Sequence, residues 1–89
     1  PITPDIRVPC EPATARAITG ELAAAFGEAR VDRLDGVRIA WDDGWALVRE
    51  SVTEPLITLR FEARTRERLS ALQAEVRASS PTLAAIWPR

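Results

Sequence analysis

The sequence has no histidine, no lysine and no methionine, and a single cysteine among its 89 residues. Without histidine it lacks the commonest general base and the commonest metal ligand. Without lysine every basic residue is an arginine, so each cationic site is a guanidinium fork suited to bidentate contact with an oxyanion. The one thiol, Cys10, has no internal disulfide partner, which fits a reducing compartment and predicts a small buried hydrophobe at that position. A chain without methionine is expected to be a piece of a longer chain or a processed product. No apolar run approaches the ~18 residues a membrane helix needs, and no basic-then-apolar leader opens the chain. Basic and acidic residues number 12 and 13, a net charge of −1, which argues against bulk attraction to nucleic acid or an anionic membrane.

What is present is ordinary for a soluble globular domain: 46% hydrophobic and 28% charged residues. There is no repeat and no low-complexity linker, so residues 1–89 read as one domain with a modest core. Asp5 to Pro9 alternates as a short first strand, and Pro12 sits where a first helical turn accepts it. Ala13 to Phe26 reads as a helix with Ala15, Ile18, Leu22, Ala25 and Phe26 on its apolar stripe, stopped by Gly27. Arg30 to Leu34 is a second strand, with Asp35-Gly36 as a turn after it. Val37, Ile39 and Trp41 alternate with Arg38 and Ala40, Asp42-Asp43-Gly44 turns the chain, and Trp45 to Arg49 returns, with Trp41 packing across the strands on Trp45.

Leu56 to Ala63 is the longest strand, with Ile57, Leu59, Phe61 and Ala63 facing the core and Leu56, Thr58, Arg60 and Glu62 facing away. On that polar face Arg60 reads as an ion-pair partner of Glu62 or a solvated head, and a place facing the cleft is also open to it. Thr65 caps a last helix whose stripe is Leu69, Leu72 and Val76; Ser79-Ser80-Pro81 ends it, and the tail from Thr82 packs back as a short turn through Leu83, Ile86 and Trp87. The order is β-α-β-β-β-β-α: an α+β domain with an antiparallel four- to five-stranded sheet and two helices on one face.

One stretch carries chemistry. Arg49-Glu50-Ser51-Val52-Thr53-Glu54-Pro55 joins two strands, so both its ends are fixed. It supplies an arginine, two hydroxyls and a run of backbone N–H donors, and Pro55 restricts the exit. Such a loop can be an oxyanion pocket, above all for phosphate. It can equally be a solvated connection whose hydroxyls satisfy local backbone groups. Asp42-Asp43-Gly44 lacks a third carboxylate at metal-loop spacing and reads as a hairpin turn.

A resemblance bears on that choice. Leu34-Asp35-Gly36-Val37-Arg38-Ile39, then Gly44-Trp45-Ala46-Leu47-Val48-Arg49, Ser51, Thr53-Glu54-Pro55 and Leu59-Arg60-Phe61-Glu62-Ala63 stand in the order of a known domain. Over about Thr3 to Val76 the sequence resembles the C-terminal, fourth domain of the α-D-phosphohexomutases, in the bacterial phosphomannomutase/phosphoglucomutase branch. The resemblance implies a TATA-binding-protein-like sheet and, for the whole enzyme, an isomerase of carbohydrate metabolism. It interconverts hexose 1-phosphate and 6-phosphate (mannose or glucose) through a bisphosphate, acting as an intramolecular phosphotransferase in the cytoplasm. It also implies a phosphoserine on the first domain and Mg²⁺ on another, with neither a catalytic residue nor a cofactor in this domain. The fourth domain grips the non-reacting phosphate and helps close the cleft. Carried over, the phosphate-binding residues are Arg49, Ser51, Val52 and Thr53, with the backbone N–H groups of 51 to 53, and Glu54 and Pro55 support the loop. Val52 departs from the Asn or Gly usual there: it offers no side-chain donor and resists positive φ. The partners implied are a hexose phosphate and the other domains of a parent chain. The alternative reading is a stand-alone or degenerate non-catalytic module that binds a phosphorylated ligand or a protein partner.

Overall fold

The computed structural model describes residues 1–27, 31–32, 36–51 and 53–88. The elements run β1 (Ile6–Pro9), α1 (Pro12–Phe26), β2 (Val31–Asp32), β3 (Val37–Trp41), β4 (Gly44–Glu50), β5 (Leu56–Ala63), α2 (Arg66–Ala78) and α3 (Pro81–Ile86). The five strands lie in the order β1-β5-β4-β3-β2 with every neighbouring pair antiparallel. Of the expected strand over residues 30–34, Val31 and Asp32 are in β2, and residues 30, 33 and 34 lie outside the described residues, as does Asp35 of the expected turn.

The sheet is built by alternation. Ile57, Leu59, Phe61 and Ala63 of β5 are buried, as are Ala46 and Val48 of β4 and Val37 and Ile39 of β3. All of these but Ala63 meet Ile18 and Leu22 of α1, Val76 of α2 and Leu83 of α3 in one core. Phe61 is its largest fully buried side chain and meets the Trp87 ring edge-on, centroids 6.2 Å apart. The opposite sheet face carries Arg38, Trp45, Leu47, Arg49, Thr58 and Arg60 by the same alternation.

Helix ends follow local chemistry. The Thr65 hydroxyl accepts the Arg68 N–H at 3.1 Å, and Glu67 lies in the first turn, where the helix dipole favours it. Gly27, at φ 78°, closes α1 by donating its N–H to the Ala23 carbonyl.

Four expectations need correction. Ala25 is exposed and Thr19 takes the inward position on α1; the Thr19 hydroxyl donates to the Arg16 carbonyl, so its burial leaves no polar atom unmatched. The tail from Pro81 is a third helix, not a turn. Ser79 closes α2, but Ser80 opens α3 by accepting the Leu83 N–H at 3.1 Å, and Pro81 fits the first turn, whose N–H groups have no helical partner. The two tryptophans do not pack on each other: a two-residue turn at Asp42-Asp43 pairs Trp41 with Gly44 and Trp45 with Ala40, which puts them on opposite faces. Trp41 packs on the core side against Phe26, centroids 5.5 Å apart and nearly perpendicular, while the Arg38 guanidinium lies 4.9 Å from the Trp45 ring. Arg60 pairs with Asp5 at 3.8 Å rather than with Glu62.

Two ties brace the ends of the helical layer. The Glu21 carboxylate on α1 accepts the Ser80 hydroxyl at 2.7 Å and the Thr82 hydroxyl and N–H at 2.6 and 3.1 Å. These bonds, those from Thr82 foremost, hold its carboxyl below the usual range. The Arg68 guanidinium grips Asp43 in the hairpin turn through two bonds of 2.6 and 3.1 Å, which lowers the Asp43 carboxyl in the same way.

Candidate functional site

Arg49 stands one residue from the end of β4, on the face away from the helices, opposite Thr58 on β5. Gly36 makes room for it. Its φ is +90°, and a Cβ there would lie 2.6 Å from the Val48 carbonyl oxygen and 2.9 Å from Arg49 Cγ. A side chain at position 36 would therefore push directly on the strand that presents Arg49.

The loop after β4 is pinned by its own backbone. Ser51 N–H donates to the Leu56 carbonyl at 3.1 Å, Leu56 N–H to the Glu54 carbonyl at 2.8 Å, and Cys10 N–H to the Pro55 carbonyl at 2.9 Å. The last bond ties the loop to the end of β1. Glu54 N–H donates to the Ser51 hydroxyl oxygen at 3.1 Å. That oxygen acts as an acceptor inside the loop, so the hydroxyl keeps its proton for an outside acceptor. The backbone N–H of Ser51, expected among the outward donors, is engaged by Leu56. Thr53 is exposed in the same bend, and Val52 lies outside the described residues. Glu54 bonds within the loop through its backbone N–H and carbonyl, and the Pro55 carbonyl accepts from Cys10.

The loop borders a recess of about 300 Å³ on the helix-free sheet face, lined among others by Arg7, Arg49, Arg60, Ser51, Thr58 and Glu50. Three guanidiniums from three adjacent strands meet there. The carboxylates nearby are partly committed: Arg60 faces Asp5 at 3.8 Å and Arg7 faces Glu54 at 3.7 Å. Both pairs are solvent-exposed and each is worth at most about 1 kcal/mol. Glu50 lines the recess and, after burial, is the second influence that pushes the Cys10 thiol up, so Cys10 is a protonated, half-buried filler beneath the loop. An open recess with forked cations and a free hydroxyl proton suits a multiply charged oxyanion. Arg7 escapes a reading of the sequence because β1 reaches the site only through its pairing with β5. Its one signal is its place on the polar side of the first strand.

The family model for the phosphoglucomutase/phosphomannomutase C-terminal domain matches residues 6–79. A phosphomannomutase/phosphoglucomutase of Pseudomonas syringae pv. tomato is 38% identical over 87 residues, covering 91% of this chain and 19% of that protein. A phosphoglucomutase of Neisseria meningitidis serogroup B is 36% identical over 93 residues, covering 97% of this chain and 20% of that protein. Among solved structures, a phosphoglucomutase/phosphomannomutase family protein from Burkholderia thailandensis superimposes with a TM-score of 0.71 at 30% identity, covering 99% of this chain and 18% of that one. These matches define the fold as that of the phosphoglucomutase/phosphomannomutase C-terminal domain. The chain belongs to the phosphoglucomutase/phosphomannomutase C-terminal domain family, and it spans about a fifth of the length of the relatives from Pseudomonas and Neisseria.

Proposed function

We propose that the chain is the phosphate-gripping domain of a phosphohexomutase that interconverts hexose 1-phosphate and 6-phosphate. The observation that carries this reading is that Arg49 and Ser51 both line a recess on the open sheet face, in a chain of this family. Arg49 supplies charge and a two-donor fork to the phosphate that is not reacting, and Ser51 and Thr53 supply directional donors. Holding that phosphate while the other end of the sugar reacts is positioning work, which is most of what phosphoryl transfer requires of a protein. The nucleophile and the Mg²⁺ that neutralises developing charge are assigned to other domains. Among the described residues no three His, Cys, Asp or Glu side chains are grouped as metal ligands. The hexose phosphate and the remaining domains of the enzyme are the proposed partners, and the cytoplasm the proposed compartment. No described helix is long and apolar enough to cross a membrane.

A site this open gives on the order of −3 to −4 kcal/mol, so the chain alone should bind phosphate at millimolar strength or weaker and show no turnover. Amide NMR during titration with inorganic phosphate tests this. Shifts clustered at residues 49–55 that vanish in Arg49→Ala support the reading. Shifts elsewhere, or an unaffected variant, overturn it.

A further inference from the structure

We propose that Arg7 is a second phosphate ligand that the loop's own Glu54 holds in reserve, so that an arriving phosphate dianion displaces the Glu54 carboxylate from the Arg7 guanidinium. The inference rests on the phosphate reading of Arg49. It concerns a residue on a different strand from the loop.

The register places Arg7 and Arg49 on either side of Thr58, one on β1 and one on β4. Neighbouring strands are about 4.8 Å apart, so the two backbones stand about 10 Å from each other, a gap that two arginine side chains can close around a small anion. Both line the same recess, and the Thr58 hydroxyl lies in the row between them. Arg60 also lines it but is offset along β5, opposite Leu47, and faces Asp5.

Glu54 is the group that now meets Arg7, one carboxylate oxygen 3.7 Å from Nη2. The contact is single and exposed, with side-chain exposures of 63% and 59%, so it breaks cheaply. Glu54 is not free to drift, because its N–H is bonded to the Ser51 hydroxyl oxygen. The carboxylate that covers Arg7 thus rides on the same short loop that presents Ser51 and Thr53. A phosphate carries up to two negative charges and three or more acceptor oxygens against one charge and two oxygens, so it is the stronger partner for a guanidinium fork. Once displaced, Glu54 turns to solvent, and Arg7 and Arg49 hold the anion from opposite sides.

The test is a double-mutant cycle on the 89-residue chain, titrated with inorganic phosphate and with glucose 1-phosphate at fixed ionic strength, alongside Arg49→Ala. Arg7→Gln should weaken binding about three- to tenfold and Glu54→Gln should tighten it by about the same factor. In the Arg7→Gln background the gain from Glu54→Gln should disappear. Arg7→Lys keeps the charge without the fork and should fall between wild type and Arg7→Gln. Unchanged amide shifts away from the recess certify the fold of each variant. If Arg49→Ala abolishes binding while Arg7→Gln and Arg7→Lys match wild type, the role given to Arg7 is wrong and the phosphate reading stands. If the Glu54→Gln gain persists without Arg7, Glu54 acts only as a repelling charge and the displacement is refuted. If Arg49→Ala binds like wild type, the phosphate reading itself fails and this inference with it.

Discussion

The same chemical change at two glycines should have opposite effects. Gly36→Ala places a methyl group 2.6 Å from the Val48 carbonyl oxygen and 2.9 Å from Arg49 Cγ, at a φ of +90°. A non-glycine residue held in that region costs about 1–3 kcal/mol. The clash falls on a backbone carbonyl in the middle of the sheet, which cannot swing aside like a side chain, and crowding of this kind costs about 1–3 kcal/mol more. The sum, about 2–6 kcal/mol, is a large share of the roughly 4–13 kcal/mol expected of a domain this size. Gly20 stands exposed inside α1 with nothing within 4 Å of an added Cβ. There Gly→Ala should stabilise by about 0.5–1 kcal/mol, through helix propensity and a less flexible unfolded chain. With a urea m-value of about 1 kcal/mol/M, the Gly36→Ala midpoint should fall by about 2 M or more, and the Gly20→Ala midpoint should rise by about 0.5–1 M. The folded fraction of Gly36→Ala should also bind phosphate more weakly, because the methyl group displaces Arg49 without itself touching the ligand. A Gly36→Ala midpoint within about 0.5 M of wild type, or a Gly20→Ala protein less stable than Gly36→Ala, would refute the reasoning.

Phe61→Ala removes the largest fully buried side chain and its edge-on contact with Trp87, and should cost about 3–5 kcal/mol in chemical denaturation. A loss under about 1 kcal/mol would mean that the strand is not central to the core. Stability should fall on acidification, because the hydrogen bonds from Thr82 and Ser80 hold the folded Glu21 carboxyl below its unfolded value. This contribution is complete above the ordinary glutamate pKa of about 4.3 and is lost as pH drops through the lowered folded value. Glu21→Gln should flatten the acid limb of a thermal-melt series relative to wild type; an identical pH profile would show that the carboxylate is not what ties α3 to α1.

How far the sequence reveals this molecule depends on whether the determining contacts are local. Alternation along β5 is legible because one face is dry and the other wet, so Ile57, Leu59, Phe61 and Ala63 declare themselves without knowledge of any partner strand. The candidate loop can be picked out for a related reason: Arg49, Ser51, Thr53, Glu54 and Pro55 sit in one short stretch whose donors are visible at a glance. Where local signals are ambiguous, reading fails in a definite way. Ser-Pro ends one helix as readily as it opens another, and at Ser80-Pro81 the free N–H groups of the next turn decide for a start. Two tryptophans separated by three residues could share a face or not, and only the two-residue length of the Asp42-Asp43 turn sets the register that parts them. Thr19 can replace Ala25 inside α1 because a hydroxyl that bonds its own helix is cheap to bury, a fact invisible to a pattern of apolar residues. Arg7 is the clearest case. Nothing near it in sequence distinguishes it from a solvated strand residue, and it comes beside the recess only when β1 adds itself to the edge of β5. The loop proposed to grip an anion is therefore encoded locally, while the cation proposed to complete the grip is encoded by sheet topology.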